Sequence, residues 1–168
     1  MTRRVAILGL GARGARWAEG LHQSGWVVSG FDPDPMAGSE LEKLGDWKRQ
    51  QTISSTVRGV DWVVCCLPDR LELMQMVLQR VQAEAPEKAI VTVASRSFDI
   101  EDVQASAIRP GLVFRVTEAS EGSLSLDASD RNSDDARALA SDGLAELAAV
   151  WSLKPVVEMD HERGAESA

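Results

Sequence analysis

Gly9-Leu10-Gly11-Ala12-Arg13-Gly14 is a G-x-G-x-x-G run, a spacing that brings bare backbone close to a diphosphate. Each glycine has its own task. Gly9 permits a tight turn, Gly11 lets backbone approach the phosphates, and Gly14 lets a helix pack closely on a strand. Ala12 and Arg13 sit where a helix N-terminus offers free N–H groups and partial positive charge to an anion. Arg13 adds a cation that either reaches a diphosphate or points into solvent. Asp32 follows the apolar run Trp26–Phe31. A carboxylate there accepts hydrogen bonds from both hydroxyls of an adenosine ribose and repels a 2′-phosphate. NAD is therefore favoured over NADP, a bias that Arg13 would partly offset. Leu67 and Pro68, at the end of a further apolar run, would line the ribose and nicotinamide side of the same cleft.

The surrounding pattern must place these residues together. Arg4–Leu8 reads as a buried first strand, and Ala12–Ser24 as a helix with Ala15, Ala18 and Leu21 on one face, stopped by Gly25. Trp26–Phe31 is a second strand, Met36–Leu44 a short helix, and Thr52–Ser55 a weak third strand. Asp61–Leu67 is apolar on both faces, as parallel strands between helices are. Asp69 with Glu72 has the form of a capping box ahead of a helix bearing Leu71, Met74, Val77, Leu78 and Val81. Ala89–Ala94 is a fifth strand, Asp99 caps a helix with Ile100, Val103 and Ala107, and Leu112–Val116 is a sixth strand. An edge strand is expected around Leu124–Asp127. Ser133 then caps a long helix with Ala136, Ala140, Leu144, Leu147 and Trp151 inward, and Pro155–Met159 closes as the last strand. Strands and helices alternate, the signature of a doubly wound α/β sheet. One domain over residues 1–159 is expected, with 160–168 a polar, frayed tail.

Composition narrows the function classes. The chain of 168 residues carries a formal net charge of −8. That balance argues against a nucleic-acid partner, which needs a basic face. No apolar run approaches a membrane span, and the first apolar stretch ends in glycines, so neither membrane association nor a leader is expected and the cytoplasm is the expected location. Cys65 and Cys66 are adjacent and cannot staple distant segments, and no metal-ligand spacing exists. They read as core strand residues. The five tryptophans read mostly as core, with a dimer surface as the alternative.

The residues Gly9–Gly14, Arg16-Trp17-Ala18, Gly25-Trp26 and Phe31-Asp32-Pro33-Asp34-Pro35 resemble the NAD-binding domain of the 3-hydroxyacyl-CoA dehydrogenase family, in its L-carnitine dehydrogenase branch. Ala94-Ser95, Arg109-Pro110-Gly111 and Lys154-Pro155-Val156 extend the likeness over most of the chain. The resemblance implies a Rossmann-type doubly wound, mostly parallel sheet with helices on both faces, and NAD as cofactor. It implies oxidation of a secondary 3-hydroxyl, with a histidine as base, a glutamate orienting it, and a serine and an asparagine at the substrate oxygen or cofactor. Aligned on Arg109-Pro110-Gly111, the histidine position is Thr117, just after the sixth strand, and the asparagine position is Ser120. The glutamate falls at Asp127 and the serine at Ser95 or Ser97, with Ser95 also facing the cofactor.

Thr117 departs from the family, because taking an alcohol proton needs a base near neutral pKa and a threonine hydroxyl does not serve unaided. Glu118 or Asp127 would have to act instead. The family continues into a helical domain that builds the dimer and closes the cleft. Here the chain stops soon after its last strand, so an open cleft, covered by a second copy of the chain, is expected. Three functions follow from these residues: an oxidoreductase for a small 3-hydroxy acid, a nucleotide-binding sensor or regulatory subunit, or an interaction domain that keeps only the fold.

Overall fold

The computed structural model describes residues 3–119 and 122–160. Eight strands form one sheet in the order β3-β2-β1-β4-β5-β6-β7-β8. They are β1 (Arg4–Leu8), β2 (Val27–Phe31), β3 (Lys48–Arg49), β4 (Trp62–Cys65), β5 (Ile90–Ala94), β6 (Val113–Ala119), β7 (Ser123–Ser129) and β8 (Lys154–Asp160). β1 to β6 run parallel. β7 is antiparallel to β6, and β8 is parallel to β7. The chain winds outward from β1 to β3, then returns past β1 to β4. The crevice at the carboxyl ends of β1 and β4 is the switch point where such sheets bind ligands.

Two cores flank the sheet. Helices α1 (Ala12–Gln23) and α5 (Asp134–Val150) cover one face, over Val5, Ile7, Val28, Trp62 and Phe114. Helices α2 (Ile53–Val57), α3 (Leu71–Glu84) and α4 (Ile100–Ala105) cover the other, over Ala6, Leu8, Val63 and Val93. Tryptophans fill the first core rather than a surface. Trp17 meets Trp62 and Trp151 edge-on, and Trp26 meets Trp62 in the same way. Glycines let both helices pack closely, Gly20 of α1 against α5 and Gly143 of α5 against β4. A Cβ on Gly20 would lie 2.5 Å from Leu147, and one on Gly143 2.8 Å from Trp62.

The structure corrects several local expectations. Thr52–Ser55 is not a strand. The Ser55 N–H donates to Thr52 Oγ1 (3.0 Å) and the Thr52 N–H to Ser55 Oγ (3.3 Å), a reciprocal cap that starts α2. The third strand is instead the short Lys48–Arg49. Met36–Leu44 holds only a 3-10 turn, Ser39–Lys43, entered through Gly38 at φ 72°. Asp69 does not cap α3; Arg70 occupies that position with no side-chain cap. β7 is not an edge, because β8 pairs along its whole length and takes that place. β8 runs to Asp160, one residue into the expected tail. The rest of that tail, 161–168, lies outside the described residues, as does Ser120. Among the described residues no helix is long and apolar enough to cross a membrane.

A buried polar knot ties α4 to the β6 and β7 strands. Gln104 Nε2 donates to the Val113 carbonyl and to Asn132 Oδ1 (3.1 and 3.0 Å), and Ser129 Oγ donates to Gln104 Oε1 (2.7 Å). Asn132 Nδ2 donates to the Gly111 and Val113 carbonyls (2.9 and 3.1 Å). Removing one member leaves several buried groups unpaired. Asn132→Ala is expected to cost about 3 kcal/mol in a urea unfolding midpoint series. A loss below about 1 kcal/mol would show that the knot contributes little.

Candidate functional site

The glycine loop is fixed by backbone packed on backbone. Gly9 leaves β1 at φ 93°, and a Cβ there would sit 2.2 Å from the Cys66 carbonyl oxygen, just past β4. A Cβ on Gly14 would lie 1.7 Å from the Gly9 carbonyl oxygen. Gly11 differs: its backbone (φ −63°, ψ −171°) suits any residue, and a Cβ there would meet nothing within 4 Å. Gly9 and Gly14 therefore serve the fold, and Gly11 keeps backbone open to a cleft of about 650 Å³. α1 begins at this cleft with no side-chain cap and no acidic residue in its first turn, so no side chain of the helix itself competes for its leading N–H groups.

Asp32 stands at the rim of the same cleft. Its carboxylate accepts the Leu10 N–H (2.7 Å) and the Asp34 N–H (2.8 Å). Each oxygen keeps a further lone pair. Asp32 thus holds the glycine loop in shape and still presents acceptors to the cleft. Phe31, Ile53, Leu67, Pro68 and Leu73 supply apolar walls. NAD fits this arrangement: apolar walls for a base, a carboxylate for its ribose, and the space at Gly11 with helix dipoles for the diphosphate. Arg13 does not simply point to solvent; its Nη2 donates to the Leu67 carbonyl (2.7 Å) across the cleft.

The remaining expected residues gather around an arginine that sequence reading passed over. Thr117 lies inside β6, not just after it, because that strand runs on to Ala119. Thr117 Oγ1 accepts from Arg115 Nε and Nη2 (3.1 and 2.8 Å). Arg115 Nε also donates to the Ser95 carbonyl (3.1 Å) and lies 3.2 Å from Asp127 Oδ2. The register explains the trio: Asp127 pairs with Arg115, and Thr117 with Ser125. The alternation Arg115-Val116-Thr117 put both polar residues on one face. Their partner across the sheet was visible only once the register was known. These side chains line a hollow of about 480 Å³ with Glu158 and Asp99.

Ser95 is buried, donates to Asp69 Oδ1 (3.1 Å), and accepts the Ser97 and Phe98 N–H groups (3.0 and 3.3 Å). It shapes the turn into α4 and lines a smaller pocket of about 130 Å³ with Arg13, Arg96 and Thr117. Ser97 is exposed and borders neither that pocket nor the hollow. Glu118 is held in an ion pair with Arg16. The described residues thus place no imidazole at Thr117, and the hydroxyl there is bonded to a guanidinium, which cannot accept a proton.

Titration follows the packing. Burial raises the Asp127 carboxyl above its ordinary range; Arg115 pulls it back and the neighbouring Glu158 pushes it up again. Burial also pushes the Cys66 thiol up to about 12 against the charge of Arg13, and burial with Cys66 alongside raises Cys65 still further. Both cysteines are core, as expected, and no reactive thiolate forms. Among the described residues no group of side chains could hold a metal ion.

Sheet order, glycine loop and rim carboxylate define a dinucleotide-binding domain of the dehydrogenase type. Residues 4–114 match the model of the NAD-binding domain of 6-phosphogluconate dehydrogenase, and the chain belongs to that family of NAD-binding domains. It is 31% identical over 120 residues to the L-carnitine dehydrogenase of Mesorhizobium japonicum, a match covering 60% of this chain and 33% of that protein. Over 128 residues it is 28% identical to the L-carnitine dehydrogenase/betainyl-CoA thioesterase of Ruegeria pomeroyi, covering 65% of this chain and 26% of that one. The chain thus spans about a quarter to a third of the length of these relatives. The (S)-3-hydroxybutyryl-CoA dehydrogenase of Ralstonia eutropha shares the fold, with a TM-score of 0.80 at 18% identity over 95% of this chain and 64% of that one.

Two outcomes follow from this geometry. Gly11→Ala should leave the melting temperature within a few degrees of wild type while weakening NAD binding at least about tenfold, because its methyl occupies ligand space only. Gly14→Ala should fail to fold stably; equal melting of the two variants would contradict the division of labour. The second outcome concerns pH. A carboxyl raised in the folded state binds its proton more tightly there, so its contribution is present at low pH and is lost as pH rises. From about pH 4, the ordinary aspartate value, upward to the raised one, wild type should lose stability relative to Asp127→Asn. A difference in melting temperature that is flat with pH, or rises, would refute this.

Proposed function

We propose that this chain binds NAD(H) as a redox-state sensor or regulatory unit of the 3-hydroxyacyl-CoA/L-carnitine dehydrogenase type, and does not by itself oxidise a hydroxyl group. The observation that carries this reading is the contrast between its two halves. The cofactor half is complete: Gly11 opens onto a cleft with a free helix terminus at one end and the Asp32 carboxylate at the rim. The other half offers the Thr117 hydroxyl bonded to Arg115, itself paired with Asp127. NAD, when bound, supplies a hydride acceptor. Oxidising an alcohol also requires a group to take the hydroxyl proton, and a guanidinium-bound threonine does not provide one.

A second reading is an oxidoreductase for a small 3-hydroxy acid, possessing a base of a different kind. It is favoured by the hollow of about 480 Å³ that Thr117 and Asp127 line together, where burial raises the Asp127 carboxyl above its ordinary range. The names of the L-carnitine dehydrogenase relatives point the same way. One experiment separates the two. Calorimetric titration with NAD and NADH is run beside incubation of the protein with NAD and a panel of 3-hydroxy acids that includes L-carnitine. Binding of both nucleotides with no growth of the reduced-nicotinamide absorbance band is the expected result. Turnover that Asp127→Asn abolishes would establish the second reading instead.

A further inference from the structure

We propose that Arg13 is a diphosphate clamp, a specificity-determining residue that makes the cleft select nucleotides with two phosphates over adenosine alone; this rests on the NAD-binding reading above. Arg13 borders both the large cleft, with Gly11 and Asp32, and the small pocket, with Ser95 and Thr117. A molecule occupying both must pass its linking group beside this guanidinium. Arg3, Arg16 and Arg115 each hold a carboxylate. Among the described residues Arg13 forms no ion pair, and its hydrogen-bond partner is a neutral acceptor, the Leu67 carbonyl at 2.7 Å. Its charge reaches the cleft floor, where it draws the buried Cys66 thiol down against the effect of burial.

The side chain is exposed and springs from the first turn of α1, beside N–H groups that no capping side chain occupies. Exchanging a neutral carbonyl for a phosphate oxygen turns an ordinary hydrogen bond into a charge-assisted one. The planar guanidinium can meet two oxygens at once, which a single ammonium does not. Helix dipoles and Arg13 then grip the same diphosphate from adjacent sides, while the Asp32 carboxylate and the apolar side chains face the nucleoside. Arg13 thereby adds affinity in proportion to phosphate charge and none for the sugar or base.

Titrating wild type, Arg13→Ala and Arg13→Lys with NAD, ADP and adenosine tests this, at low and moderate salt. Arg13→Ala should weaken NAD and ADP at least about tenfold and leave adenosine within about twofold. Arg13→Lys should recover part of the loss, and the salt dependence of NAD binding should flatten in Arg13→Ala. Equal weakening of all three ligands would assign Arg13 a structural role through Leu67 and overturn the clamp. So would NAD binding that neither variant changes, which leaves the NAD-binding reading intact. A wild type that binds none of the three ligands would remove both.

Discussion

Everything in the cofactor half depends on one close approach of three pieces of backbone. Gly9 turns out of β1 against the carbonyl that follows β4, and α1 begins against the carbonyl of Gly9 itself. A Cβ at either crossing would stand 2.2 or 1.7 Å from an oxygen, a distance no side-chain adjustment relieves because both atoms belong to the main chain. The result is a helix whose first turn is aimed into the switch-point crevice. The positive end of its dipole therefore points at the crevice where such sheets bind ligands.

Asp32 couples that crossing to recognition. The carboxylate reaches back from the end of β2 to the Leu10 amide and forward to the Asp34 amide. The glycine loop and the carboxylate at the cleft rim are thus one hydrogen-bonded unit. Preorganisation of this kind lowers the ordering cost of binding, since neither element has to find its place when the ligand arrives. The apolar walls of the cleft then discriminate by shape, and the rim by polarity.

The opposite end of the sheet obeys a different logic. β7 reverses direction after β6, which brings Asp127 beside Arg115 rather than beside Thr117. One guanidinium then satisfies a carboxylate, a hydroxyl and a carbonyl together, in a half-buried setting where each of those bonds is strengthened. Such a cluster is rigid and ion-paired. It holds its members in place, with the Thr117 hydroxyl accepting from the guanidinium that also pairs with Asp127.

Local sequence determined the parts whose chemistry is local. The glycine spacing, the acid at the end of β2, the caps at Asp99 and Ser133, and the alternation of strands and helices were all legible, because turns, caps and periodicity are written in neighbouring residues. NAD as the ligand followed from them. Residues distant in the chain meet by register, and register is set by the whole sheet. That is why Thr52–Ser55 looked like a strand until its reciprocal cap appeared, why β7 looked like an edge until β8 paired beside it, and why Arg115 went unnoticed. Only the tertiary structure brought Arg115 between Thr117 and Asp127 and laid Arg13 across the cleft to Leu67. Those placements depend on which strand lies next to which, a choice that packing on both faces of the sheet decides.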